Sequence, residues 1–165
     1  MHTRAIKLKH GPTILVRPLR AGDVATVRAV FEQLGDESRR ARFNGPKPCL
    51  SDVELAQLAA VDCSHHALVA HVEGDPKPIA IARLARNDRT SAEIAFAVAD
   101  SHQHHGIGSA LAAELIADAR AAGITEITAL AASDNGAALA LIRRTADVVD
   151  VHFEGPELSI RAAIA

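Results

Sequence analysis

The run Gln103-His104-His105-Gly106-Ile107-Gly108 constrains this chain more than any other stretch. It follows a strand-like apolar run, Ile94 to Val98, and precedes a helix-like run that starts near Ser109. A glycine-containing loop between a strand and a helix presents bare backbone N–H groups. Together with the positive end of the helix dipole, they make a site for phosphate oxygens. Gly106 and Gly108 lack a Cβ, so the backbone can bend sharply there and come close to a ligand. The same glycines would also serve an ordinary short turn, so the context must decide. No third glycine completes a Gly-x-Gly-x-x-Gly pattern, and no Lys-Ser/Thr pair makes a P-loop.

That context reads as α/β. Thr13 to Pro18 is a short first strand. Asp23 caps a helix running to Gln33, with Val24, Val27, Val30 and Phe31 on one stripe. Ser51-Asp52-Val53-Glu54 is a capping box that opens a helix to about Ala60. Three antiparallel strands follow: His66 to Val72, Ile79 to Arg86 and Ser91 to Val98, joined by turns at Glu73-Gly74-Asp75-Pro76 and Asn87-Asp88. The helix after the loop turns Leu111, Leu115, Ile116 and Ala119 to the core and ends at Gly123. Ile124 to Ala131 is a strand and Asn135 to Thr145 a helix. Val148 to Phe153 and Leu158 to Arg161 pair as a last hairpin.

At 165 residues, with no internal repeat or linker, the chain is expected to be one domain, residues 1–165, with a single core. It is 48% hydrophobic but only 2% aromatic, so Leu, Ile, Val, Ala and four Phe must build that core. A net charge of −2 argues against nucleic-acid or membrane-surface partners. The N-terminal segment has no apolar run that would serve as a signal peptide or membrane span. Cys49 and Cys63 make neither a disulfide framework nor a zinc pattern, and read as packing residues in a reduced, cytoplasmic setting. His65, His66, His102, His104 and His105 lack the Cys or carboxylate partners that would complete a tetrahedral set, so no metal is expected.

The loop motif, set in this order of elements, resembles the GNAT superfamily of acetyl-CoA-dependent N-acetyltransferases, from about Thr13 to Phe153. A narrower likeness is to the GNAT domain of bacterial protein-lysine acetyltransferases. Glu37-Ser38-Arg39-Arg40-Ala41-Arg42-Phe43, Pro46-Lys47-Pro48, Leu50-Ser51, Val61-Asp62 and Ala92 to Val98 carry it. The resemblance implies the acyl-CoA N-acyltransferase fold, a mixed, mostly antiparallel sheet flanked by helices (α/β, or α+β). It implies acetyl-CoA as cosubstrate. Phe96, Ala97 and Val98 would meet the cofactor at the strand end; His104, His105, Gly106, Ile107, Gly108 and Ser109 would meet its pyrophosphate. Gln103 would hold the loop or touch a phosphate. Asn135 and Ala138, in the pattern Asn-x-x-Ala-x-x-Leu, would serve the pantetheine arm, although Asn135 also fits an ordinary helix cap. In those relatives the domain is often fused to a regulatory or synthetase-like domain; no such domain is expected here.

Transfer to an amine requires a bound thioester, a polarised carbonyl and a base. Glu93 is the candidate base, matching the Glu proposed for that role in the proteins this chain resembles. Simple alternation puts it on a face with Ala95, Ala97 and Ala99, opposite Ile94, Phe96 and Val98. Small neighbours leave room for a substrate, and burial would raise its pKa toward neutrality. The plainer reading is a solvated strand carboxylate. Arg39, Arg40 and Arg42 are either a solvated face or the rim of an acceptor groove.

The chain departs from the family pattern in three places. His104-His105 replace the usual Gly-Arg, so two imidazoles would partly stand in for an always-charged group. Ile142 stands where many members have a Tyr that protonates the thiolate. Ala146-Asp147 replace the usual Gly-Phe. The expected activity is acetyl transfer to a primary amine, with a protein lysine as acceptor. A small-molecule amine, or a degenerate non-catalytic acyl-CoA-binding module, are the alternatives; a monomer or homodimer fits each.

Overall fold

A computed structural model of the chain describes residues 3–164; Met1, His2 and Ala165 lie outside the described residues. In chain order the elements are β1 (Arg4–Lys7), β2 (Thr13–Pro18), α1 (Val24–Phe31), α2 (Asp36–Phe43), α3 (Asp52–Leu58), β3 (His65–Val72), β4 (Pro78–Arg86) and β5 (Ser91–Val98). A 3-10 turn (Asp100–His102), α4 (Ile107–Ala121), β6 (Glu126–Ala132), α5 (Gly136–Arg143), β7 (Val148–Glu154) and β8 (Glu157–Ala163) complete them. The strands form an eight-stranded sheet in the order β1-β2-β3-β4-β5-β6-β8-β7. Neighbours are antiparallel except β5 and β6, which run parallel with α4 as the crossover.

Alternation along the central strands explains the layers. In β4, Ala80, Ala82 and Leu84 face one cluster and Ile81 faces the other. In β3, Leu68 and Ala70 face the first, Ala67 and Val69 the second. Both sides of the sheet are covered, so these strands are apolar on both faces. On the first side α4 inserts Ile107, Leu111, Leu115 and Ile116, all buried. Each such side chain contributes about 1.5–3 kcal/mol of burial. On the second side α1 and α3 supply Val27, Val30, Phe31 and Leu55. Local chemistry fixes the helix starts. The Asp23 side chain accepts from the Thr26 N–H (3.0 Å), and Ser51 and Glu54 form the reciprocal box expected.

Two elements escape the sequence reading. β1 is a four-residue edge strand paired to β2, too short for a periodic signal. α2 has no buried residue and no apolar stripe. It is held by its ends: Asp36 and Glu37 in the first turn and Arg40 and Arg42 in the last complement the dipole. Asn44 closes it in the left-handed region at φ 53°. Cys49 and Cys63 are both exposed and free, which overturns their expected packing role.

Candidate functional site

β5 and β6 pair over only three residues each, Ser91–Glu93 with Glu126–Thr128. Beyond Glu93 the two strands diverge. The register of β5 with β4 continues unbroken from Ala92 to Val98, without a bulge. The backbone groups of Ile94–Val98 that point away from β4 therefore have no strand partner. This stretch contains Phe96, Ala97 and Val98. A wedge with one edge of free amide groups suits a ligand that carries amides of its own.

The start of α4 stands at the mouth of that wedge. A Cβ built on Gly108 would lie 3.8 Å from the Val98 side chain and 4.0 Å from that of Leu141, which places it between the end of β5 and α5. The helix begins at Ile107, two residues earlier than the sequence suggests, so Gly108 and Ser109 lie in its first turn. The sharp bend belongs to Gly106 alone, at φ 87°, together with His104 at φ 63°. Gly108 is helical and bends nothing, which corrects its expected share in the turn. Ile107 is buried, so only its backbone faces the loop side. No side chain caps α4, and helix geometry leaves the N–H groups of Ile107, Gly108 and Ser109 without intrahelical acceptors. His104 and His105 are exposed beside them.

Gln103 holds the loop. Its Nε2 donates to the Val98 carbonyl (3.0 Å), the Ser38 hydroxyl (3.0 Å) and Asp100 Oδ1 (3.2 Å). The bond to Ser38 ties α2 to the wedge, and Arg40 pairs with Asp134 at 2.9 Å from the other side. α2 thus packs across both β5 and β6. Asn135 accepts from the Ala138 N–H at 3.1 Å, so the Asn-x-x-Ala pair is a helix cap.

On the second side of the sheet, a cleft of about 560 Å³ opens beside Glu93. Its walls include Arg42 and Phe43 of α2, Glu54 and Gln57 of α3, His65 of β3, Arg83 and Ala85 of β4, and Ala95 of β5. Glu93 stands opposite Ala85, and Arg83 opposite Ala95, so Arg83 is the diagonal neighbour of Glu93 on one face. Glu93 is exposed, not enclosed as its small neighbours suggest. The expected sharing of a face holds for Ala95 and Ala97. It fails at Ala99, which joins the first cluster because β5 has ended. The two cleft carboxylates differ. Glu54 is tied to Lys47 and to Ser51, and the Lys47 contact above all holds its pKa down at about 2. Glu93 makes no hydrogen bond or ion pair among the described residues.

The acetyltransferase (GNAT) family model matches residues 31–146. The chain belongs to the GNAT acetyltransferase family. Members of this family take their acetyl group from acetyl-CoA. The chain is 33% identical over 134 residues to the acetyltransferase Pat of Mycolicibacterium smegmatis, a match covering 79% of this chain and 40% of that protein. It is 31% identical over 134 residues to the acetyltransferase PA5475 of Pseudomonas aeruginosa, covering 79% and 72%. The GNAT domain of S. lividans PAT superposes with a TM-score of 0.87 at 27% identity, over 98% of this chain and 96% of that one. The chain therefore spans well under half of the Mycolicibacterium protein but nearly all of the PAT domain.

For a GNAT chain without the usual loop Arg, the positive charge near the loop has another source. Arg144, just after α5, donates to the Ser109 hydroxyl at 3.3 Å. The sequence reading misses it, because no spacing rule links residues 35 positions apart on different helices. It also misses Arg83, whose signal is a charge among apolar neighbours of β4 on the face of Ile81. The Arg39–Arg42 run divides: Arg39 stacks on Phe31, Arg40 pairs with Asp134, and Arg42 turns into the cleft. The histidines divide as well. His65 pairs with Asp62 (2.9 Å) and His66 with Asp118 (2.9 Å). Among the described residues no three His, Cys, Asp or Glu side chains gather as a metal site, and no helix is long and apolar enough to cross a membrane.

Proposed function

We propose that this chain moves an acetyl group from acetyl-CoA directly to a primary amine, with a protein lysine as acceptor and Glu93 as general base. One observation carries the reading: Glu93 is the last residue of β5 paired with β6, at the vertex where the sheet splits. A thioester laid along the open edge of β5 would end beside it. An amine entering through the cleft would reach the same point from the second side of the sheet.

The residues fit acetyl-CoA. The first-turn N–H groups of α4 and the Arg144 guanidinium suit its phosphates, and the edge of Ile94–Val98 that β6 leaves without a partner, apart from the Val98 carbonyl held by Gln103, suits its pantetheine arm. Glu93 takes the proton of the amine as nitrogen attacks the carbonyl carbon, and the C–S bond breaks to release CoA thiolate. With no Tyr in the chain, the thiolate leaves without a phenolic acid beside it. The likeness of Glu37 to Phe43 and of Ala92 to Val98 to the GNAT domain of bacterial protein-lysine acetyltransferases supports a protein-lysine acceptor. Residues 1–165 are read as one catalytic unit, a monomer or homodimer. The free, exposed Cys49 and Cys63 suit a reducing, cytoplasmic setting.

The test is Glu93→Gln. It should keep acetyl-CoA binding and lower kcat by about 100- to 10,000-fold, with the deficit shrinking at high pH where the amine is already neutral. Equal pH–rate profiles for both proteins would remove Glu93 from the chemistry. Bound acetyl-CoA without transfer to any amine, in the unaltered protein, would favour a binding module instead.

A further inference from the structure

Two arginines from distant parts of the chain meet in the cleft beside Glu93. Arg42 comes from the last turn of α2 and Arg83 from the middle of β4. Both also border the narrow apolar cavity beneath, lined by Phe31 and Leu34 among others. Neither has an acidic hydrogen-bond or ion-pair partner among the described residues. Arg83 Nη1 donates to the Gln57 carbonyl (3.0 Å), and Arg42 lies over the Phe43 ring, 4.9 Å from its centroid, with no hydrogen bond or ion pair among the described residues. The other charged groups of the cleft are committed: Glu54 to Lys47, and His65 to Asp62. Two guanidinium groups therefore share one nearby carboxylate, Glu93, and one positive charge is left over.

That surplus is placed where it costs stability. Burial, and then the neighbouring Arg83, pull Arg42 down to about 10, and Glu93 offsets them only in part; burial also lowers Arg83. Partly desolvated like charges are unfavourable unless something completes them. The planar, forked guanidinium is matched by a carboxylate, which can accept two parallel N–H bonds.

We propose that Arg42 and Arg83 form a carboxylate clamp in the acceptor cleft, so that the preferred acceptor carries a carboxylate close to its amine. The proposal rests on the reading of this cleft as the acceptor site. The register sets the distance. Diagonal neighbours on one sheet face are roughly 7–8 Å apart, so an amine at Glu93 and a carboxylate at Arg83 belong to one small molecule or one short peptide segment. The carboxylate has two sources: the α-carboxylate of a free amino acid, or an Asp or Glu side chain beside a lysine in a polypeptide.

Two kinds of acceptor pair test it. One compares free amino acids with their amides; the other compares lysine peptides having Asp or Glu beside the lysine with the same peptides carrying Asn or Gln. The clamp predicts kcat/KM about 10- to 100-fold higher for the acid of at least one pair, the strength of charge-assisted bonds. Which pair shows it identifies the source. Arg83→Gln and Arg42→Gln should each remove most of the preference. Arg83→Lys, which keeps the charge and stem but not the fork, should keep the fold and still lose most of it. Calorimetric titration of the CoA complex with the same pairs gives a readout without turnover. Tighter binding of the acids without acetyl transfer would keep the clamp and sink the catalytic reading. Transfer to acid and amide at equal kcat/KM in the unaltered protein, or a preference that survives in both glutamine variants, would overturn the clamp alone.

Discussion

The Arg144 guanidinium reaches the Ser109 hydroxyl, 3.3 Å away, across the gap between the end of α5 and the first turn of α4. It brings a permanent charge to a helix end that has no side-chain cap of its own. If the phosphates of acetyl-CoA sit at that end, they meet Arg144 as well as the backbone. Arg144 is exposed, so its contribution is screened and reaches at most about 1 kcal/mol, roughly fivefold in Kd. Arg144→Gln should weaken acetyl-CoA binding by that factor and flatten its dependence on salt. Identical salt titrations for variant and parent would show that the charge does not reach the ligand.

Gly106 and Gly108 should respond differently to alanine. Gly106 sits at φ 87°, where a Cβ costs about 1–2 kcal/mol, so Gly106→Ala should lower the melting temperature. Gly108 is helical, and its added Cβ would meet Val98 at an ordinary 3.8 Å. Gly108→Ala should therefore melt no lower than the parent. A bulky side chain there would stand in the mouth of the wedge, so Gly108→Leu should bind acetyl-CoA at least tenfold more weakly, about 1.4 kcal/mol. At about 100 times the parent Kd, acetyl-CoA should raise parent stability by roughly 2.7 kcal/mol, and the Gly108→Leu variant by less. Unchanged binding by Gly108→Leu would mean that the ligand does not pass there.

The chain order of strands and helices is legible in the sequence because most elements carry either a strict alternation or a marked cap. Ser91–Val98 and the Asp23 and Ser51 caps are read at their true positions for this reason. α2 is invisible because Asp-Glu-Ser-Arg-Arg-Ala-Arg-Phe carries no apolar stripe and is held by contacts to Gln103 and Asp134. The same limit applies at the site. Glu93 and the loop are local features and can be found by position. The parting of β5 from β6, the diagonal of Arg83 to Glu93 and the reach of Arg144 to Ser109 depend on register and on helix placement. One sequence read along its length holds neither.

Acid should reach the α3 cap only well below the ordinary carboxylate range. Glu54 ionises far below its ordinary 4.5, at about 2, because Lys47 and the Ser51 N–H and hydroxyl hold its charged form. A depressed folded-state pKa means that the contribution is present above about 4.5 and is lost as pH falls through about 2. Glu54→Gln should therefore melt lower than the parent at neutral pH. The difference should hold down to about pH 4.5 and close between there and about 2. Melting curves across that range check it; a gap that stays constant to pH 2 would show that the charge of Glu54 is not what the cap uses.

Ala95 stands between the two ligands. Its side chain lines the cleft beside Glu93 and opposite Arg83, while its backbone belongs to the stretch of β5 that β6 leaves unpaired. An acceptor entering the cleft would meet the side chain; acetyl-CoA lying in the wedge would meet the backbone groups of its neighbours Ile94 and Phe96, because those of Ala95 point toward β4. Ala95→Leu adds bulk to the first and leaves the second as it is. The site is part-exposed and borders open space, so the larger side chain has somewhere to go without overpacking the core. The variant should bind acetyl-CoA within about twofold of the parent. Its kcat/KM for the amine should fall at least tenfold, a loss of about 1.4 kcal/mol of transition-state stabilisation. Calorimetry with acetyl-CoA and steady-state kinetics with one acceptor are sufficient. The opposite result, weakened acetyl-CoA binding with acceptor kinetics intact, would put the cofactor in the cleft and move the amine to the other side of the sheet.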